Sequence, residues 1–587
     1  MADGSYFLLA ATFLPLLLAP VSYVIGRRSG VNATTWFSFG VLAVSTGLLL
    51  IPSMLLYGGQ QIYSESYSWG YFGNFGLRLD GLSLPFALTI YILCAVIAVY
   101  SKPYMVRKIM GDRISEEDHG LAPAEALSGY GSGSSSTGIS NIESGSQTTV
   151  LESQRYLNNQ SGLYFALYLA FSMGMLGTVL ATNLIEFYVF FELMLVPSFF
   201  LVAIYGYGAR RRVALMFFFW THVGAVVLLL GLLAMGFFAG GFDYTTVKEN
   251  ASKIPAEWMT LIIFAIVIGF GVKLAAFLVH IWLPHVYTQS PTPLSALLAA
   301  AMTGIGAYGL LRLWMDLLTA NYAQYSLYIE LWGLVTMVYG GAMALMQDDM
   351  KKLLAYSSIS SMGYIIFGIG SSSVLGVTGA TLLYVTHGLG KAILFMAAGS
   401  VMLQTGTRNM SRLGGLAGKM PYTAVLAMIG GLTVIGIPPT SGFMSEWILF
   451  GGVLQTGVAQ MSATKVTLFA FGILTTVLSS AYFLWMYKRI FFGKIPDYLA
   501  NVRDSNRYIT VTMAVLAALS LIIGVYPDPF LNPITSYIKG MFAGTSDVLP
   551  TPSQSSSIHV TSSQANNALP ATQAQALVFV AKEKSGS

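Results

Sequence analysis

Five ionisable side chains lie inside long apolar runs of this sequence, and their types could carry protons. They are Glu192, Lys273, His387, Lys391 and Glu446. A charge in the core of a bilayer costs about 3 kcal/mol on insertion scales, so such groups face protein or water and mark ion or proton pathways. Carboxyl, amine and imidazole groups all bind and release protons. We predict that these five form a proton path; the alternative for each is a static charge neutralised by a neighbouring helix.

The first pair consists of Glu192, in NLIEFYVFFELMLVPSFF, and Lys273, in FAIVIGFGVKLAAFLVHIWLP. Lys273 lies too deep in its run for its amine to reach the membrane surface easily. An ion pair lowers the cost of two buried charges, and Glu192 is the partner that we predict. His280 follows seven residues after Lys273. A continuous helix would place it two turns further along the same face.

The second group comprises His387 and Lys391, in LLYVTHGLGKAILF, and Glu446, in GLTVIGIPPTSGFMSEWILF. A spacing of four places His387 and Lys391 on one helix face, where both cannot comfortably be cationic, which favours a proton relay. Pro438 and Pro439 should break the helix before Glu446. Backbone groups freed by such a break can hold water, so Glu446 could end a proton wire. The alternative for Glu446 is a helix-cap or interfacial carboxylate.

The elements that position these residues follow from composition. The chain is 55% hydrophobic and 9% charged, with a mean hydropathy of +0.66, whereas soluble domains are about 25% charged. Its apolar runs are long enough to cross a bilayer, and a chain in lipid must satisfy its own backbone, so they should be helices. We predict an all-α polytopic membrane protein with about fourteen spans, at 5–25, 33–57, 82–105, 163–182, 184–206, 212–238, 258–282, 293–318, 328–347, 353–371, 374–403, 422–455, 466–492 and 509–528.

Loop charge and helix breaks predict the organisation of these spans. Basic residues concentrate in the loops after odd-numbered spans, which places those loops in the cytoplasm and both termini outside. Interruptions at Lys273–Pro284 and Gly436–Glu446 suggest two inverted-repeat halves with broken helices. The predicted regions are 1–109 with the first three spans, a flexible Ser/Gly-rich cytoplasmic loop at 110–160, repeats at 161–320 and 321–495, a last span within 496–544, and a polar disordered tail at 545–587.

Several kinds of site are not expected. One cysteine, Cys94, cannot build a disulfide framework, and the six histidines have no zinc spacing. No phosphate loop, dinucleotide fingerprint, haem or iron–sulfur motif is present. We expect no cofactor, no metal and no nucleic-acid partner, and energy must come from partners or from an ion gradient. Met1–Ser5 has no Lys or Arg, so the first apolar run is predicted to be a permanent span rather than a cleaved signal.

Several motifs give the chain a family resemblance. They are LDGLSLPF (79–86), NLIEFYVFFELMLVP (183–197), VKLAAFLVHIWLPHVYTQSPTPLSALLA (272–299), AYGLLR (307–312), DMKKLLAYSSISSMGY (349–364), HGLGKAILF (387–395) and GIPPTSGFMSEW (436–447). From about residue 79 to 450 the chain resembles the antiporter-like, proton-translocating subunits of respiratory complex I and the related cation/proton antiporters. Glu446, where sister subunits usually carry lysine, indicates the chain M or subunit 4 type.

The resemblance implies roles for the candidate residues. It implies that Glu192 and Lys273 form an ion pair that modulates one half-channel, that His387 and Lys391 belong to a central hydrophilic axis, and that Glu446 is the exit carboxylate. We take the remaining candidates, His280, Asp349 and Lys351, as supporting residues.

The sequence also departs from the family's usual pattern. Gly304 stands where the family usually has lysine, Ser361 where histidine is common, and Tyr287 and Gln289 where histidine and glutamate follow the WLP motif. The central relay must then use water, His387 or Lys391.

The resemblance also implies a setting. We expect a multi-pass protein of a prokaryotic plasma membrane that exports protons beside other membrane subunits of a complex I-like, NADH-quinone oxidoreductase-like assembly. Quinone and redox cofactors are expected in those partners and none in this chain. The alternatives are a subunit of a multi-subunit sodium/proton antiporter or membrane-bound hydrogenase, and a scaffold whose buried charges only pair.

Overall fold

The computed structural model describes residues 6–117 and 144–543. Helices dominate these ranges, and a single antiparallel hairpin of two strands interrupts them, β1 (Ile62–Ser68) and β2 (Asn74–Asp80). The helices of the first half are α1 (Phe7–Tyr57), α2 (Ser83–Glu117), α3 (Ser144–Leu180), α4 (Leu184–Tyr205), α5 (Arg210–Ala239), α6 (Tyr244–Asn250), α7 (Ala256–Leu274), α8 (Trp282–Gln289) and α9 (Thr292–Asp316). Those of the second half are α10 (Tyr322–Leu345), α11 (Met350–Ile369), α12 (Val374–Thr405), α13 (Pro421–Val434), α14 (Ser441–Ala459), α15 (Ala463–Phe491), α16 (Arg507–Val525) and α17 (Asp528–Met541).

The first helical segment, α1, is a hairpin of two helices rather than one rod. Its backbone leaves helical geometry at Gly30, where φ is 85°. The hydroxyl of Ser22 lies 2.9 Å from the hydroxyls of both Thr34 and Ser38. In a straight helix residues twelve apart would be about 18 Å apart. The chain therefore doubles back at Gly30, between the first two predicted spans.

The prediction of an all-α polytopic membrane protein is confirmed, although the number of spans differs. Twelve helical segments within the described ranges are long and apolar enough to cross a membrane. The predicted count of about fourteen is not reproduced, because the first two predicted spans form the single segment α1 and the span predicted at 422–455 consists of α13 and α14.

The ends of the predicted polar segments are partly described. Helix α2 continues to Glu117 and α3 begins at Ser144, so helices extend into the loop predicted at 110–160. The centre of that loop, 118–143, and the tail predicted at 545–587 lie outside the described residues.

Both predicted helix breaks are present. Helix α7 ends at Leu274, and α8 begins at Trp282 after a linker in which Ala275 and Leu278 have φ values of 53° and 76°. The indole of Trp332 donates to the linker carbonyl of Phe277 at 3.1 Å, and the indole of Trp282 donates to the carbonyl of Val272 at 2.8 Å. The second break separates α13 from α14, and Gly436 has a φ of 67° there. Side chains thus satisfy backbone groups that the first break releases, as an apolar surrounding requires.

Helices α9 and α12 lie at the centre of the bundle. The most apolar stretch of each is 100% buried inside the protein, whereas that of α5 is only 33% buried. Helix α9 also contains two π-helical turns, Leu298–Met302 and Leu310–Asp316. Such turns recur at functional sites because they re-aim side chains. The two central helices carry Gly304, His387 and Lys391, so these positions face protein and not lipid.

Loop contacts define two faces of the bundle. The hairpin β1–β2 contacts the α3–α4 connection through an isolated antiparallel β-bridge between Leu77 and Ala181. Asn183 in that connection bridges to Asp243, after α5. We call this side the hairpin face. The loops after α10 and α12 meet on the opposite face, where Asp349 bridges to Asn409.

Candidate functional site

Glu192 pairs with a histidine of the next helix. Its Oε2 atom lies 3.0 Å from Nδ1 of His222 on α5. The His222 ring stacks on Phe218 with centroids 5.5 Å apart. The second carboxylate oxygen of Glu192, Oε1, is buried and has no hydrogen-bond partner. Among the described residues no ion pair joins Glu192 to Lys273, so the predicted partner is replaced in this conformation by His222.

Lys273 lies in the last turn of α7 and is 2% exposed. Its Nζ atom lies 4.9 Å from the ring centroid of Phe191, which offers a cation–π contact. No hydrogen bond or ion pair reaches Lys273 from the part of the chain that is described. The left-handed backbone at Ala275 ends the helix just beyond it. The carbonyl end of a helix favours a nearby cation, so the break helps to hold the Lys273 charge.

His280 is not on the helix face predicted for it. Helix α7 ends at Leu274, and His280 lies in the linker that follows. Its Nε2 atom lies 3.0 Å from the hydroxyl of Tyr339 on α10, and its Nδ1 atom is buried without a partner. The prediction assumed a continuous helix and was wrong because the positive φ of Ala275, a residue with a Cβ, has no clear signal in sequence.

His387 and Lys391 lie one turn apart on α12, both buried, at 3% and 0% exposed. Neither ring nitrogen of His387 has a hydrogen-bond partner. The amine of Lys391 donates to the hydroxyl of Ser357 on α11, a residue that the sequence did not single out. Two cations here would repel each other strongly in a medium of low dielectric constant. The pair can therefore hold a single proton charge and exchange it between ring and amine.

Glu446 and His387 face one small cavity. The cavity has about 10 Å³ of room for the centre of a water molecule, and Ser361, Tyr364 and Thr433 complete its polar lining. That volume suits about one water. Gly436, at the helix break, lies beside the Glu446 carboxylate, and a Cβ at position 436 would come within 2.7 Å of its Cδ. The break thus makes room for the carboxylate, which accepts no hydrogen bond from the described residues.

Aromatic side chains fill the space at Gly304, where the family resemblance led us to expect a lysine. A Cβ on Gly304 would clash with the ring of Tyr384. The Tyr384 ring stacks on Phe86 with centroids 4.1 Å apart. The nearest polar pair along the chain is Tyr287 and Thr303, whose hydroxyls are hydrogen-bonded to each other. Thr303 is next to Gly304 in the chain, and the two hydroxyls are candidates to carry a proton past it.

The supporting residues Asp349 and Lys351 lie on the opposite face. Asp349 caps α11 by accepting from the backbone N–H groups of Lys351 and Lys352 at 2.9 and 3.2 Å, and it pairs with Arg408 at 2.6 Å. Lys351 is buried, and its amine donates to the carbonyl of Ser290 at 2.6 Å. Both residues bind α11 to neighbouring elements. These contacts account for the presence of a carboxylate at position 349 and a buried amine at position 351.

A buried ion network near the hairpin face was missed by the sequence analysis. Arg312 on α9 donates to both carboxylate oxygens of Asp80 at 2.7 and 2.8 Å and to Asp316 at 3.0 Å. Arg78 binds Asp80 at 2.9 Å, and Lys248 binds Asp316 at 2.6 Å. Burial alone would raise the pKa of Asp80, but Arg312 and Arg78 together lower it from 3.8 to about 2. Asp80 and Arg312 both lie in quoted motifs, LDGLSLPF and AYGLLR, which was the available signal.

Two further groups were also missed. His222 had no motif around it, and only the packing of α4 on α5 shows that it reaches Glu192. Glu330 and Lys465 form an ion pair at 3.7 Å between α10 and α15. The signal for Glu330 was an acidic residue within the apolar run YIELWGLV. Among the residues described, no group of three or more His, Cys, Asp or Glu side chains could hold a metal ion.

Comparisons with known proteins place this geometry in a family. The family described as NADH:quinone oxidoreductase/Mrp antiporter, transmembrane, matches residues 181–476. NADH-quinone oxidoreductase subunit M of Rhodobacter capsulatus is 30% identical over 536 residues, covering 88% of this chain and 92% of the relative. F(420)H(2) dehydrogenase subunit M of Methanosarcina mazei is 35% identical over 379 residues, covering 63% of this chain and 74% of the relative.

Solved structures share the fold. A chain of respiratory complex I from Thermus thermophilus superposes with a TM-score of 0.72 at 22% identity, covering 92% of this chain and 100% of that one. A chain of the Mrp complex from a Dietzia species superposes with a TM-score of 0.74 at 18% identity, covering 93% and 98%.

Proposed function

The chain belongs to the NADH:quinone oxidoreductase/Mrp antiporter family of membrane subunits, and from this premise we propose that it exports protons within a complex I-like quinone oxidoreductase. Quinone reduction in partner subunits would supply the energy, and the partners would hold the quinone and redox cofactors. We propose a prokaryotic plasma membrane as its location, with both termini and the hairpin face outside. The relatives are named as subunits of larger oxidoreductases, which supports membrane subunits as its partners.

The observation that carries the proposal is the cavity shared by His387 and Glu446. A proton held by Lys391 passes to a ring nitrogen of His387, one turn away on α12. It then crosses to a carboxylate oxygen of Glu446 through the space that suits one water. Because the second helix break lies at this point, α14 can shift against α13 and close or open that connection.

The first half would control the entry of protons into the path through the protonation of Lys273. Lys273 can be charged or neutral, since no hydrogen bond or ion pair from the described residues fixes its charge; the Phe191 ring, the end of α7 and the more distant charge of Glu192 act on it. The position of the Glu192 side chain affects the protonation of Lys273. When Glu192 pairs with His222 it acts on Lys273 only from a distance, and when it pairs with Lys273 it would keep the amine charged. The hydrogen-bonded hydroxyls of Tyr287 and Thr303 would then start the route past Gly304 toward α12. An electrostatic change in a neighbouring subunit is thereby converted into movement of a proton.

The test measures proton translocation per electron by the assembled complex in proteoliposomes. We expect Lys391→Met and Glu446→Gln each to abolish the share of proton export that this chain contributes, while assembly is retained. The matched controls are Lys253→Met and Glu257→Gln, which remove the same charges at exposed positions and should leave the yield unchanged. An unchanged yield in assembled Lys391→Met and Glu446→Gln complexes would contradict the proposal.

A second candidate function is a subunit of a multi-subunit sodium/proton antiporter, and the family description names Mrp antiporters beside the oxidoreductases. The same buried groups would then exchange protons against a sodium gradient without electron transfer. The two functions are separated by driving the purified complex with a sodium gradient alone. Proton movement under that condition, with no quinone reduction, favours the antiporter.

A further inference from the structure

The pair formed by Glu330 and Lys465 lies outside every role assigned above. Glu330, on α10, is 0% exposed, and Lys465, in the first turn of α15, is 8% exposed. The Lys465 Nζ atom lies 3.7 Å from Oε2 of Glu330 and donates to the backbone carbonyl of Ser371 at 3.0 Å. Ser371 follows the end of α11, which lies toward the hairpin face. The pair therefore marks the hairpin-face end of the second half.

The carboxylate of Glu330 is poorly satisfied for a buried group. Neither of its oxygens has a hydrogen-bond partner. Backbone packs tightly beside it, because a Cβ on Gly370 would come within 2.8 Å of the Glu330 Cβ. A nearby tyrosine, Tyr322, turns its hydroxyl to the carbonyl of Ile369 instead. Buried Glu186 has one unpartnered oxygen, Oε1, but its Oε2 atom accepts from the backbone N–H of Gly76 at 3.1 Å. A structural carboxylate is normally saturated with donors, and Glu330 is not.

Hydroxyl groups lead from the cavity of Glu446 part of the way toward this end of the bundle. Tyr364 lines the cavity that holds Glu446, and its hydroxyl lies 3.2 Å from Ser479 and accepts from Thr475 at 3.1 Å. Thr475 and Lys465 both lie on α15, ten residues or about 15 Å apart. The line of polar groups thus runs from the centre of the bundle toward the hairpin face along α11 and α15.

Two aromatic rings close this line in the present conformation. Phe367 on α11 and Phe450 on α14 have ring centroids 6.2 Å apart. Both rings approach within 3.1 Å of the position that a Cβ would take on Gly472. Because Gly472 has no side chain, the rings can lie between Thr475 and Lys465 and keep that interval apolar. Movement of the rings would open that interval to water, and a chain of waters would then link the hydroxyls with the ion pair.

We propose that Glu330, paired with Lys465, is the last proton-holding site of the second half, before release at the hairpin face. The proton leaves the carboxyl group of Glu446, passes the hydroxyls of Tyr364 and Thr475, and binds the carboxylate of Glu330. Lys465 stays an ammonium group and keeps its hydrogen bond to Ser371 when Glu330 becomes neutral. Release of the proton to the outside restores the ion pair. This inference rests on the proposed function.

The test uses the assembled complex in proteoliposomes and compares three variants. We expect Glu330→Gln to lower the protons exported per electron to the level of Lys391→Met. The double variant Glu330→Gln/Lys465→Met removes both charges and leaves no buried ion alone, and it should show the same low yield. A static ion pair gives the other result: the double variant would pump like the wild type, and the inference would be overturned.

The outcomes also separate this inference from the proposed function. If Lys391→Met lowers the yield while assembled Glu330→Gln does not, only the inference is wrong. If neither variant lowers it, the proposed function is wrong as well. Infrared difference spectra during turnover give an independent readout. A protonated-carboxyl band that is present in the wild type and absent in Glu330→Gln supports the inference, and an identical spectrum in both contradicts it.

Discussion

Two groups of charged or titratable side chains are buried in this protein: one surrounds Arg312, and the other lies on the two helices that carry His387 and Glu446. Only the group around Arg312 is saturated with hydrogen bonds. Arg312 donates to both oxygens of Asp80 and to Asp316 at 2.7 to 3.0 Å. Neither nitrogen of His387 has a partner, and Glu446 accepts no hydrogen bond from the described residues.

This difference has a physical meaning. A saturated network resists any change of protonation, because each lost charge would leave buried donors or acceptors unpaired. An unsaturated group loses little when it takes or gives a proton. Hydrogen-bond saturation, more than burial, therefore separates the charges that hold this fold from those proposed to move protons.

The largest effect is expected from breaking the saturated network. Arg312→Met leaves Asp80 and Asp316 buried with fewer partners, and breaking a buried pair costs about 3–5 kcal/mol. We expect a loss of that size in the unfolding free energy of the detergent-solubilised chain, followed by its tryptophan fluorescence. The control is Lys248→Met, which removes a cation from the same network at a side chain 51% exposed. That variant should lose about 1 kcal/mol or less. Equal losses in the two would contradict the assignment of Arg312 as the structural centre.

A much smaller effect on stability is expected at the unsaturated group. Lys391→Met replaces a buried amine, bound to the hydroxyl of Ser357, by an apolar side chain of similar length. Such replacements are often neutral or stabilising. We expect the unfolding free energy to stay within about 1 kcal/mol of the wild type, or to rise, although proton export is lost. A loss as large as that of Arg312→Met would show that Lys391 is structural and that the division fails.

The sequence could predict one of these two regions and not the other. His387 and Lys391 share a helix face through their spacing of four, and Pro438 marks the break before Glu446, so local rules were sufficient. The helix break after Lys273 was predicted too, but not its left-handed residues. The network of Arg312 joins residues 232 positions apart in the chain. Only the packing of the hairpin against α9 brings them together, and no local pattern encodes it.

The partners of the candidate residues were beyond local rules for the same reason. Glu192 was assigned to Lys273 because depth and charge favoured it, yet the packing of α4 on α5 brings His222 closer. Gly304 is a further example: the sequence showed that a lysine was missing, but not that the ring of Tyr384 fills its place. Residue type and depth in an apolar run predict which side chains are candidates for proton transfer. Tertiary contacts determine which of these side chains lie within reach of one another.

The last prediction concerns pH, and the expected effect near neutrality is zero. The pKa of Asp80 is lowered from 3.8 to about 2 by Arg312 and Arg78, against the opposing effect of burial. A carboxyl whose pKa is lowered by folding stabilises the folded state at every pH above its pKa in the unfolded chain. That stabilisation is lost as the pH falls through the pKa of the folded state. The contribution of Asp80, about 2 kcal/mol, is therefore constant from pH 8 to 5 and declines between about pH 4 and 2. Unfolding of the wild type and of Asp80→Asn across pH 8 to 5 measures it. The free-energy gap between them should be flat. If the free-energy gap narrows between pH 8 and 5, Asp80 binds protons in the same pH range as the groups proposed to transfer them. Saturation with hydrogen bonds would then not prevent a buried group from changing its protonation.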